Sequence, residues 1–444
     1  MAGPPKFYDL ALETVVNCYK TDLLQTNVIP ADSILSDQIF EAVMRSRDYC
    51  YDDHAKALIK EFKPTKLELN FGYIEEGTFD EIRKLKLAEL RILNCGLISK
   101  YRVANTKQAG STESWRCNFC ICRFLDDILS PETKQGLRVL TISRSGSFVD
   151  NWMEELSLML PNLEHLNIES KTMSVTDFTS LCNNMPNLHS LNISKTGIKS
   201  LNGLAKLQSL EYLNISHLSF ETKEDIKDLF ELKKLKKLVF GNNSPTWNHD
   251  WQFEKPFPKV ETLECYWLKA DDAFLRRILS QLPNLRTVVA YQTRITQAAA
   301  HPRISLWTGE SVEAMMKTIG YYRSQNVWGK VDELFNRFDD YHTKWTGTRV
   351  DITPELITLM VDELEAVIRD FKLAKRILPF NIEIVLTKLP KITYKNHRKL
   401  QRRQSVLSGN GVNHSRRWKC QLAEDLRGDS EYTDRSNGSL FGVL

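Results

Sequence analysis

One spacing of aliphatic residues recurs along the middle of the chain and constrains its fold more than any other feature. The pattern is Leu-x-x-Leu-x-Leu-x-x-Asn-x-Leu, in which Cys, Thr, Ser or Lys often replaces the Asn. Copies start at Leu87, Leu137, Leu163, Leu188, Leu210, Leu235, Val260 and Leu285. From Leu137 onward the steps are 26, 25, 22, 25, 25 and 25 residues. A period this constant indicates a chain that stacks short structural units on one another.

Each copy predicts a short strand followed by a helical return. The Leu-x-Leu core suits a strand, since alternate side chains of a strand point to the same side. Segments such as Val175 to Met185 and Lys223 to Leu232 fit the returning helix. Pro-Asn-Leu triplets, which suit the passage from helix to strand because Pro cannot continue a helix, begin at Pro161, Pro186 and Pro283. We therefore predict an α/β leucine-rich-repeat solenoid over residues 61–305.

The start of the predicted solenoid is less regular than its middle. A degenerate early copy runs through Leu67, Leu69 and Ile74. The step from Leu87 to Leu137 is 50 residues, or two periods. This spacing predicts that one repeat between them is disguised or replaced.

Strand residues that point away from the core should form a concave surface. One predicted column on it is Thr141, Asn167, Asn192, Asn214, Val239, Glu264 and Val289; the neighbouring column is Ser143, Glu169, Ser194, Ser216, Gly241, Tyr266 and Tyr291. The two columns form either a recognition strip or a solvated face whose polar groups bond to one another. Aromatic residues anchor binding sites, so Tyr266 and Tyr291 are the strongest candidates for substrate contact, with Glu169 and Glu264 beside them.

Two amphipathic helices are predicted before the repeats, in an N-terminal region of residues 1–60. Residues 7–18 place Phe7, Ala11 and Val15 on one stripe, with Leu12 beside it. A second helix is predicted from Ser36, as N-cap, to Arg47. On their own, the two helices would cap the first repeat.

The N-terminal pattern resembles the von Hippel–Lindau box, which joins an elongin C-binding helix to a cullin-two-binding element. The resemblance assigns adaptor binding to Phe7, Ala11, Leu12 and Val15, with Phe7 at the position where the box has Leu. It assigns cullin binding to Ile29, Pro30 and Ile34. With the repeats and the helices that follow them, the chain is similar to the Zyg-eleven and Zer-one substrate receptors of cullin-two ubiquitin ligases. This similarity implies elongin C, cullin two and a protein substrate as partners.

Helical periodicity replaces the leucine pattern after the last repeat. Helices are predicted over 311–324, 328–339 and 353–371, with a further pair over 373–386. Residues 306–390 resemble the beginning of the family's armadillo-like helical region, which runs considerably further in its other members. Residues 391–444 are predicted to be a disordered tail, rich in Ser, Asn, Gly and Arg. No degron-pocket residue carries over to this chain.

The recognisable motifs of enzymes are absent from the sequence. We find no GxxxxGK[ST], GxGxxG, HExxH or GxSxG. We therefore expect a protein that is not an enzyme and that has no cofactor and no small-molecule substrate. Cys117, Cys120 and Cys122 are the one group that suggests metal chemistry, but no fourth ligand is near. Buried thiols on a helix are the favoured interpretation and a zinc site the minority one.

Charge and hydropathy limit the compartment and the partners. Ten Lys or Arg and no Asp or Glu lie between Lys388 and Cys420, and they outweigh the net charge of +4, so the remaining sequence is acidic overall. A nucleic-acid-binding solenoid is therefore disfavoured. No long apolar run and no secretory signal are visible, which predicts no membrane association and a cytoplasmic or nuclear protein.

Two functions from different classes follow. The first is a substrate-recognition subunit of an elongin–cullin-two ubiquitin ligase, with the target bound by the solenoid. The alternative is a leucine-rich-repeat interaction scaffold without a ligase partner, imported into the nucleus through a basic tail that contains Arg402 and Arg403.

Overall fold

A computed structural model describes the chain over residues 34–45, 53–70, 76–93, 98–103, 118–143, 148–241, 257, 259–266, 270–296, 299–325, 327, 329–331 and 333–334. The chain divides into two units, Met1–Pro379 and Phe380–Leu444, and every described residue belongs to the first. None of the helices in these segments has the length and apolar character needed to cross a bilayer.

The strands are arranged as the leucine spacing predicts, in one long parallel sheet. In chain order they are β1 (Lys66–Asn70), β2 (Glu89–Leu93), β3 (Arg102–Val103), β4 (Asn118–Phe119), β5 (Val139–Ser143), β6 (His165–Asn167), β7 (Ser190–Asn192), β8 (Tyr212–Asn214), β9 (Lys237–Gly241), β10 (Thr262–Tyr266), β11 (Thr287–Ala290) and β12 (Ser305–Thr308). Ten of them pair in the order β1-β2-β5-β6-β7-β8-β9-β10-β11-β12, and β3 and β4 form a separate antiparallel pair. The α/β leucine-rich-repeat architecture is confirmed.

The core of the sheet is a column of aliphatic side chains, one from each repeat. Its members are aligned by the strand register and are Leu67, Leu90, Leu140, Leu166, Leu191, Leu213, Leu238, Leu263, Val288 and Leu306. The first nine are at most 2% exposed and Leu306 is 9% exposed. Full burial of one Leu side chain stabilises a fold by about 1.5–3 kcal/mol, so the stacking of repeats supplies the stability that one repeat lacks.

Helices and 3-10 turns return the chain on the other side of the sheet or flank its ends. The α-helices are α1 (Ile34–Arg45), α2 (Asp53–Phe62), α3 (Phe79–Arg83), α4 (Ile121–Ile128), α5 (Pro131–Gly136), α6 (Trp152–Met159), α7 (Val175–Asn184), α8 (Asp272–Gln281) and α9 (Val312–Ser324). The return over Lys223–Glu231 is a 3-10 helix. Helices α6, α7 and α8 each end two residues before Pro161, Pro186 and Pro283, as the Pro-Asn-Leu triplets predict.

Across the 50-residue step, β2 pairs directly with β5. Between these two strands, the described residues hold the β3–β4 pair and helices α4 and α5, and none of them joins the large sheet. Tyr101 and Phe119 contact Phe124 of α4 at ring-centroid distances of 5.3 and 5.8 Å. One repeat is therefore replaced by an insertion whose aromatic side chains pack into the common hydrophobic core.

The N-terminal end of the sheet is covered by α1 and α2. Helix α1 begins at Ile34, two residues before the predicted N-cap, so the assignment of Ser36 as N-cap is wrong. Instead, the Ser36 hydroxyl donates to the Phe62 carbonyl oxygen at 2.5 Å. Asp37 accepts hydrogen bonds from the backbone N–H and the hydroxyl of Thr65 at 2.6 and 2.5 Å. These bonds fasten α1 to the segment that leads into β1.

The C-terminal end gains a strand that the leucine pattern does not predict, β12, which pairs with β11. Helix α9 follows it with the predicted start, since the Ser311 side chain accepts from the Ala314 N–H at 3.1 Å. Residues 329–331 and 333–334 are also helical. The helices predicted over 353–371 and 373–386, and the tail, lie outside the described residues. The predicted domain boundaries remain predictions.

Candidate functional site

The strand face, which comprises the strand side chains that point away from the core, has the predicted register. Thr141 is aligned in turn with Asn167, Asn192 and Asn214, and the same column continues to Val239, Glu264 and Val289. From β2 to β7 this column is partly or fully exposed. We name the outward side chains of β2, β5, β6 and β7, together with Glu169 and Lys195 in the turns after β6 and β7, the open half of the strand face.

The asparagines of the open half and of β8 shape the turns that follow their strands. The side-chain oxygen of Asn167 accepts from the Glu169 N–H at 3.1 Å, and that of Asn192 accepts from the Ser194 N–H at 3.0 Å. Asn214 makes the equivalent bond to Ser216 at 3.0 Å. The three asparagine oxygens therefore bond within their own repeats. Each of these turns ends in a left-handed residue, at Ser170, Lys195 and His217, with φ of 62°, 59° and 59°.

Glu169 is the one predicted substrate-contact residue in the open half. Its Oε1 accepts from Lys195 Nζ at 2.9 Å, and both side chains are well exposed, at 40% and 47%. An exposed pair of this kind contributes about 1 kcal/mol or less to stability. A binding partner could therefore replace this ion pair with its own charged groups, and the chain would lose little stability.

The other three predicted substrate-contact residues are buried, so the expectation that they form an exposed strip is wrong. Glu264, Tyr266 and Tyr291 are 3%, 2% and 0% exposed. Tyr322 of helix α9 contacts Glu264, and Lys330 contacts Tyr266 and Tyr291. We name the outward side chains of β9, β10 and β11, together with Tyr291 directly after β11, the covered half of the strand face. The part of the chain that follows the last strand packs back over the preceding repeats. This is a tertiary contact, which the sequence period cannot predict.

Glu264 is the polar centre of the covered half. Its Oε2 accepts a hydrogen bond from the Tyr322 hydroxyl at 2.9 Å, and its Oε1 lies 2.5 Å from Lys237 Nζ. Burial, followed by the neighbouring Glu264 charge, raises the pKa of Tyr322 far above its ordinary range, so its hydroxyl remains a donor. A buried carboxylate needs such partners to offset the loss of water. This network fastens α9 to β10.

Tyr266 and Tyr291 hold a lysine from beyond the last strand. The two rings are stacked, with centroids 5.0 Å apart and an interplanar angle of 11°. Lys330 Nζ lies 3.8 Å from the Tyr266 centroid and donates to the Tyr291 hydroxyl at 2.9 Å. Glu333 Oε2 lies 2.9 Å from the same ammonium. We name Tyr266 and Tyr291 the tyrosine pair.

The protonation states of this contact are consistent with a cation held over a neutral ring. Burial acts to lower the pKa of Lys330, but Tyr266 and the Glu333 carboxylate outweigh it and the pKa is raised. Burial raises the pKa of Tyr266, although Lys330 opposes the shift. At neutral pH Lys330 is therefore an ammonium and Tyr266 an uncharged phenol, the arrangement that favours cation–π attraction.

A second concavity lies at the other end of the sheet. A cleft of about 290 Å³ opens between α1, β1 and β2, with Phe40 and Met44 of α1 and the polar Glu89 and Arg91 of β2 among its lining residues. Arg91 Nε bonds to Glu89 Oε1 at 2.8 Å. The cleft extends the open half toward the N-terminal helices with a mixed apolar and charged lining.

The cysteine group is divided between described and undescribed chain. Cys122 is buried on α4, where its thiol donates to the Trp152 carbonyl oxygen at 3.2 Å, and burial raises its pKa. Cys120 precedes α4 and is half-buried, while Cys117 lies outside the described residues. Within the described segments, no three His, Cys, Asp or Glu side chains meet as potential metal ligands.

Several residues that contact the covered half or lie in it were missed by the sequence analysis, namely Lys237, Tyr322, Lys330 and Glu333. Lys330 and Glu333 pair with each other three residues apart. Their contacts with Glu264, Tyr266 and Tyr291 join distant parts of the chain, so no local pattern marks them. One signal was available. Gly241 stands beside Tyr266 in the predicted column, and a Cβ at Gly241 would lie only 2.5 Å from the Tyr266 carbonyl oxygen and 2.6 Å from its ring. A glycine in a column next to large aromatic residues indicates a ring that leans across the face.

The predicted adaptor-binding residues Phe7, Ala11, Leu12 and Val15 lie outside the described residues, as do Ile29 and Pro30. Ile34 is the first residue of α1. The structure therefore leaves the predicted elongin and cullin contacts as predictions.

Comparison with known proteins gives one sequence relative of partial coverage. No family model matches the chain. Over 230 residues the chain is 27% identical to Gastrulation-defective protein 3 of Caenorhabditis elegans, a match that covers 50% of this chain and 32% of that protein. The chain thus spans about a third of the length of the curated relative that it matches.

Two solved structures are similar at low score. An internalin of Listeria monocytogenes is 18% identical and matches 57% of this chain and 70% of its own, with a TM-score of 0.35. A chain of the yeast Rad7 and Elc1 complex is 14% identical and matches 68% of this chain and 93% of its own, also with a TM-score of 0.35. Both scores are below 0.5, so the fold assignment rests on the strand register of this chain.

Proposed function

We propose that this chain is a non-catalytic substrate-recognition subunit of an elongin–cullin-two ubiquitin ligase. The observation that carries the proposal is the order of parts. A sequence that resembles the von Hippel–Lindau box ends where α1 begins, α1 is fastened to the segment before β1, and the repeats with their open half follow. One end of the protein would bind the adaptor while the strand face binds the target.

The adaptor contact follows from helix-in-groove recognition. Such helices bind through apolar anchors at spacings of three and four residues. Phe7, Ala11 and Val15 have this spacing, and the small side chain of Ala11 would allow close approach of the two backbones. Ile29, Pro30 and Ile34 would contact cullin two. The partners are therefore elongin C, cullin two and a protein substrate.

The target would lie on the open half of the strand face. Its outward side chains are accessible, and the Glu169–Lys195 pair presents both charges to a partner. No chemical step is assigned to this chain. Its contribution to ubiquitin transfer would be positional, since holding a substrate lysine near the conjugating enzyme raises the effective concentration of that lysine.

Co-precipitation of the full chain with elongin C tests the proposal. Wild type should retain elongin C, whereas a variant with Phe7→Asp and Ala11→Arg should lose it, because both changes place charge in an apolar groove. Glu13→Arg is the matched control. Glu13 lies off the Phe7–Ala11–Val15 stripe of the predicted helix, so its replacement should leave binding intact.

Undetectable binding by wild type, or binding that survives the double change, would sink the ligase proposal. The scaffold alternative then gains support if deletion of residues 1–33 leaves the partners of the chain unchanged. Neutralising Arg402 and Arg403 separates the two functions further, because only the nuclear scaffold predicts that localisation changes with the tail.

A further inference from the structure

The covered half contains a preformed place for a cation. The tyrosine pair is stacked face to face, and two glycines flank it in the direction across the strands. A Cβ at Gly241 would collide with Tyr266, and a Cβ at Gly309 would lie 3.4 Å from Tyr291 Cβ. Small residues on both sides therefore let the rings lie flat over the sheet, with one ring face available to the group above.

The group above is an internal lysine with a defined setting. Lys330 Nζ sits over Tyr266 at 3.8 Å and bonds to the Tyr291 hydroxyl at 2.9 Å. Two apolar neighbours on the same helical segment, Val331 and Leu334, are 0% exposed. Glu333, three residues after Lys330, neutralises the ammonium at 2.9 Å.

We propose that the tyrosine pair is a lysine-binding site of the strand face, occupied in this chain by its own Lys330. The external ligand is a helical segment of a protein substrate that carries the same arrangement. Its lysine is followed by apolar residues one and four positions later and by a carboxylate three positions later. Residues 329–331 and 333–334 act as an internal substitute that such a segment displaces.

The chemistry selects an ammonium over other groups. A ring face of Tyr attracts a cation by about 0.5–2 kcal/mol, depending on how far the cation is desolvated. The Tyr291 hydroxyl adds a hydrogen-bond acceptor, and its own proton is directed to Glu333 Oε1 at 3.4 Å. A neutral or acetylated lysine loses the electrostatic attraction and keeps only the apolar contacts.

Because the internal segment occupies the site, an external ligand must bind tightly enough to compete with it. A tethered ligand competes at an effective concentration of about the millimolar range or above. A substrate segment must therefore add contacts elsewhere, and the open half lies beside the covered half on the same sheet. Substrates that engage both halves would be favoured over isolated lysines.

This inference rests on the proposed use of the strand face for substrate, but not on the adaptor contact. The following test contains neither elongin C nor cullin. A negative result here leaves the elongin co-precipitation unaffected, and loss of elongin binding leaves the lysine site testable.

Binding of a defined peptide to the full chain tests the site. The probe is a fluorescein-labelled peptide with the sequence of residues 324–339, SQNVWGKVDELFNRFD. In the released variant, Val331→Asp and Leu334→Asp place charge where both side chains are buried, so the internal segment leaves the tyrosine pair. Fluorescence anisotropy should show saturable binding to the released variant and binding at least about tenfold weaker to wild type, whose site is occupied.

Two matched controls isolate the cation. A peptide with Met in place of the lysine should bind the released variant about 2–30-fold more weakly, the range that corresponds to the cation–π energy. Adding Tyr266→Leu to the released variant should remove this discrimination. Equal binding of the two peptides, or no binding to a released variant that remains folded by circular dichroism, overturns the inference.

Chemical rescue provides a second route if the released variant does not fold. Lys330→Ala leaves a gap above Tyr266 that n-propylammonium can fill, since the substitution removes three carbons and the ammonium. Millimolar n-propylammonium should raise the melting temperature of Lys330→Ala, while n-propanol should not, and wild type and the Lys330→Ala, Tyr266→Leu double variant should not respond. An amine effect that is absent from Lys330→Ala, or equal in all three proteins, contradicts a cation site.

Discussion

Lys330 Nζ and the centroid of the Tyr266 ring are 3.8 Å apart, although helices α8 and α9 and the last two strands lie between the two residues in the chain. This contact joins the chain beyond the repeats to a column that begins in the open half. It explains why a sheet built from similar repeats has an exposed surface at one end and a buried surface at the other. The outward side chains are accessible near α1 and buried near α9.

The close approach at Gly241 predicts a stability effect. Gly241→Ala should lower the free energy of unfolding by about 1–3 kcal/mol, because the new Cβ must displace the Tyr266 backbone or ring. Urea denaturation gives the value. Gly136→Ala is the control, since the nearest atom to its added Cβ is 3.9 Å away and Ala favours the helix. An equal loss of stability in both variants would show that the close contact between position 241 and Tyr266 does not cause the loss.

The Glu264 network predicts a large difference between buried and exposed charges. Glu264→Leu removes the partner of both Lys237 and Tyr322 and should destabilise the chain by about 3–5 kcal/mol. Glu169→Leu, which breaks an ion pair of similar length at exposed positions, should change stability by about 1 kcal/mol or less. Denaturation midpoints of the two variants, measured side by side, decide this. Similar losses would mean that α9 is not held by Glu264.

His217 predicts a dependence of stability on pH. Burial first, then the nearby charges of Lys195 and Lys330, lowers its pKa from 6.5 to about 4, although Glu333 and Glu169 oppose the shift. Between these values the unfolded chain takes up the proton and the folded chain does not. Above pH 6.5, His217 is neutral in both states and does not reduce the free energy of unfolding. As the pH falls from 6.5 toward 4, protonation of His217 in the unfolded chain lowers that free energy.

Replacement by Asn tests this effect, because Asn accepts the left-handed backbone that His217 adopts at φ 59°. The loss of urea stability between pH 7 and pH 5 should be smaller in His217→Asn than in wild type. The carboxylates Asp127, Asp225 and Asp271, whose pKa values are lowered below 3.8, remain charged over this interval and do not contribute. Identical slopes in the two proteins would contradict the burial of His217.

The buried cysteines predict resistance to alkylation. Burial raises the pKa of Cys182 and of Cys265 to about 12, so almost none of the reactive thiolate is present at pH 8. With iodoacetamide, both should react at least about tenfold more slowly in the native chain than in urea. Cys120, which is half-buried, serves as the internal comparison and should be modified before Cys182 and Cys265. Mass spectrometry of peptides gives each rate, and rapid native labelling of Cys265 would argue against its position beneath the sheet.

The starts of helices α1 and α9 differ in how closely they follow the local sequence. The start of α9 agrees with the helix predicted over 311–324, and the Ser311 cap that fixes it is a contact within one turn, to the Ala314 N–H. The start of α1 was predicted two residues late, because the Ser36 hydroxyl bonds to Phe62, which is distant in sequence. The missing repeat after Leu87 was foreseen from its length, but the insertion that replaces it depends on the packing of Phe124 with Tyr101 and Phe119.

The leucine spacing by itself determined the parallel sheet, its register and the set of inward side chains. A strand has a period of two and the repeats are nearly equal in length, so each inward Leu must meet the Leu of the next repeat. Only the tertiary structure decided which outward side chains are open. Glu264, Tyr266 and Tyr291 are covered by Tyr322 and Lys330, and such contacts depend on how chain beyond the repeats folds back in space. That path is set by burial and charge pairing between distant segments, which no period along the sequence records.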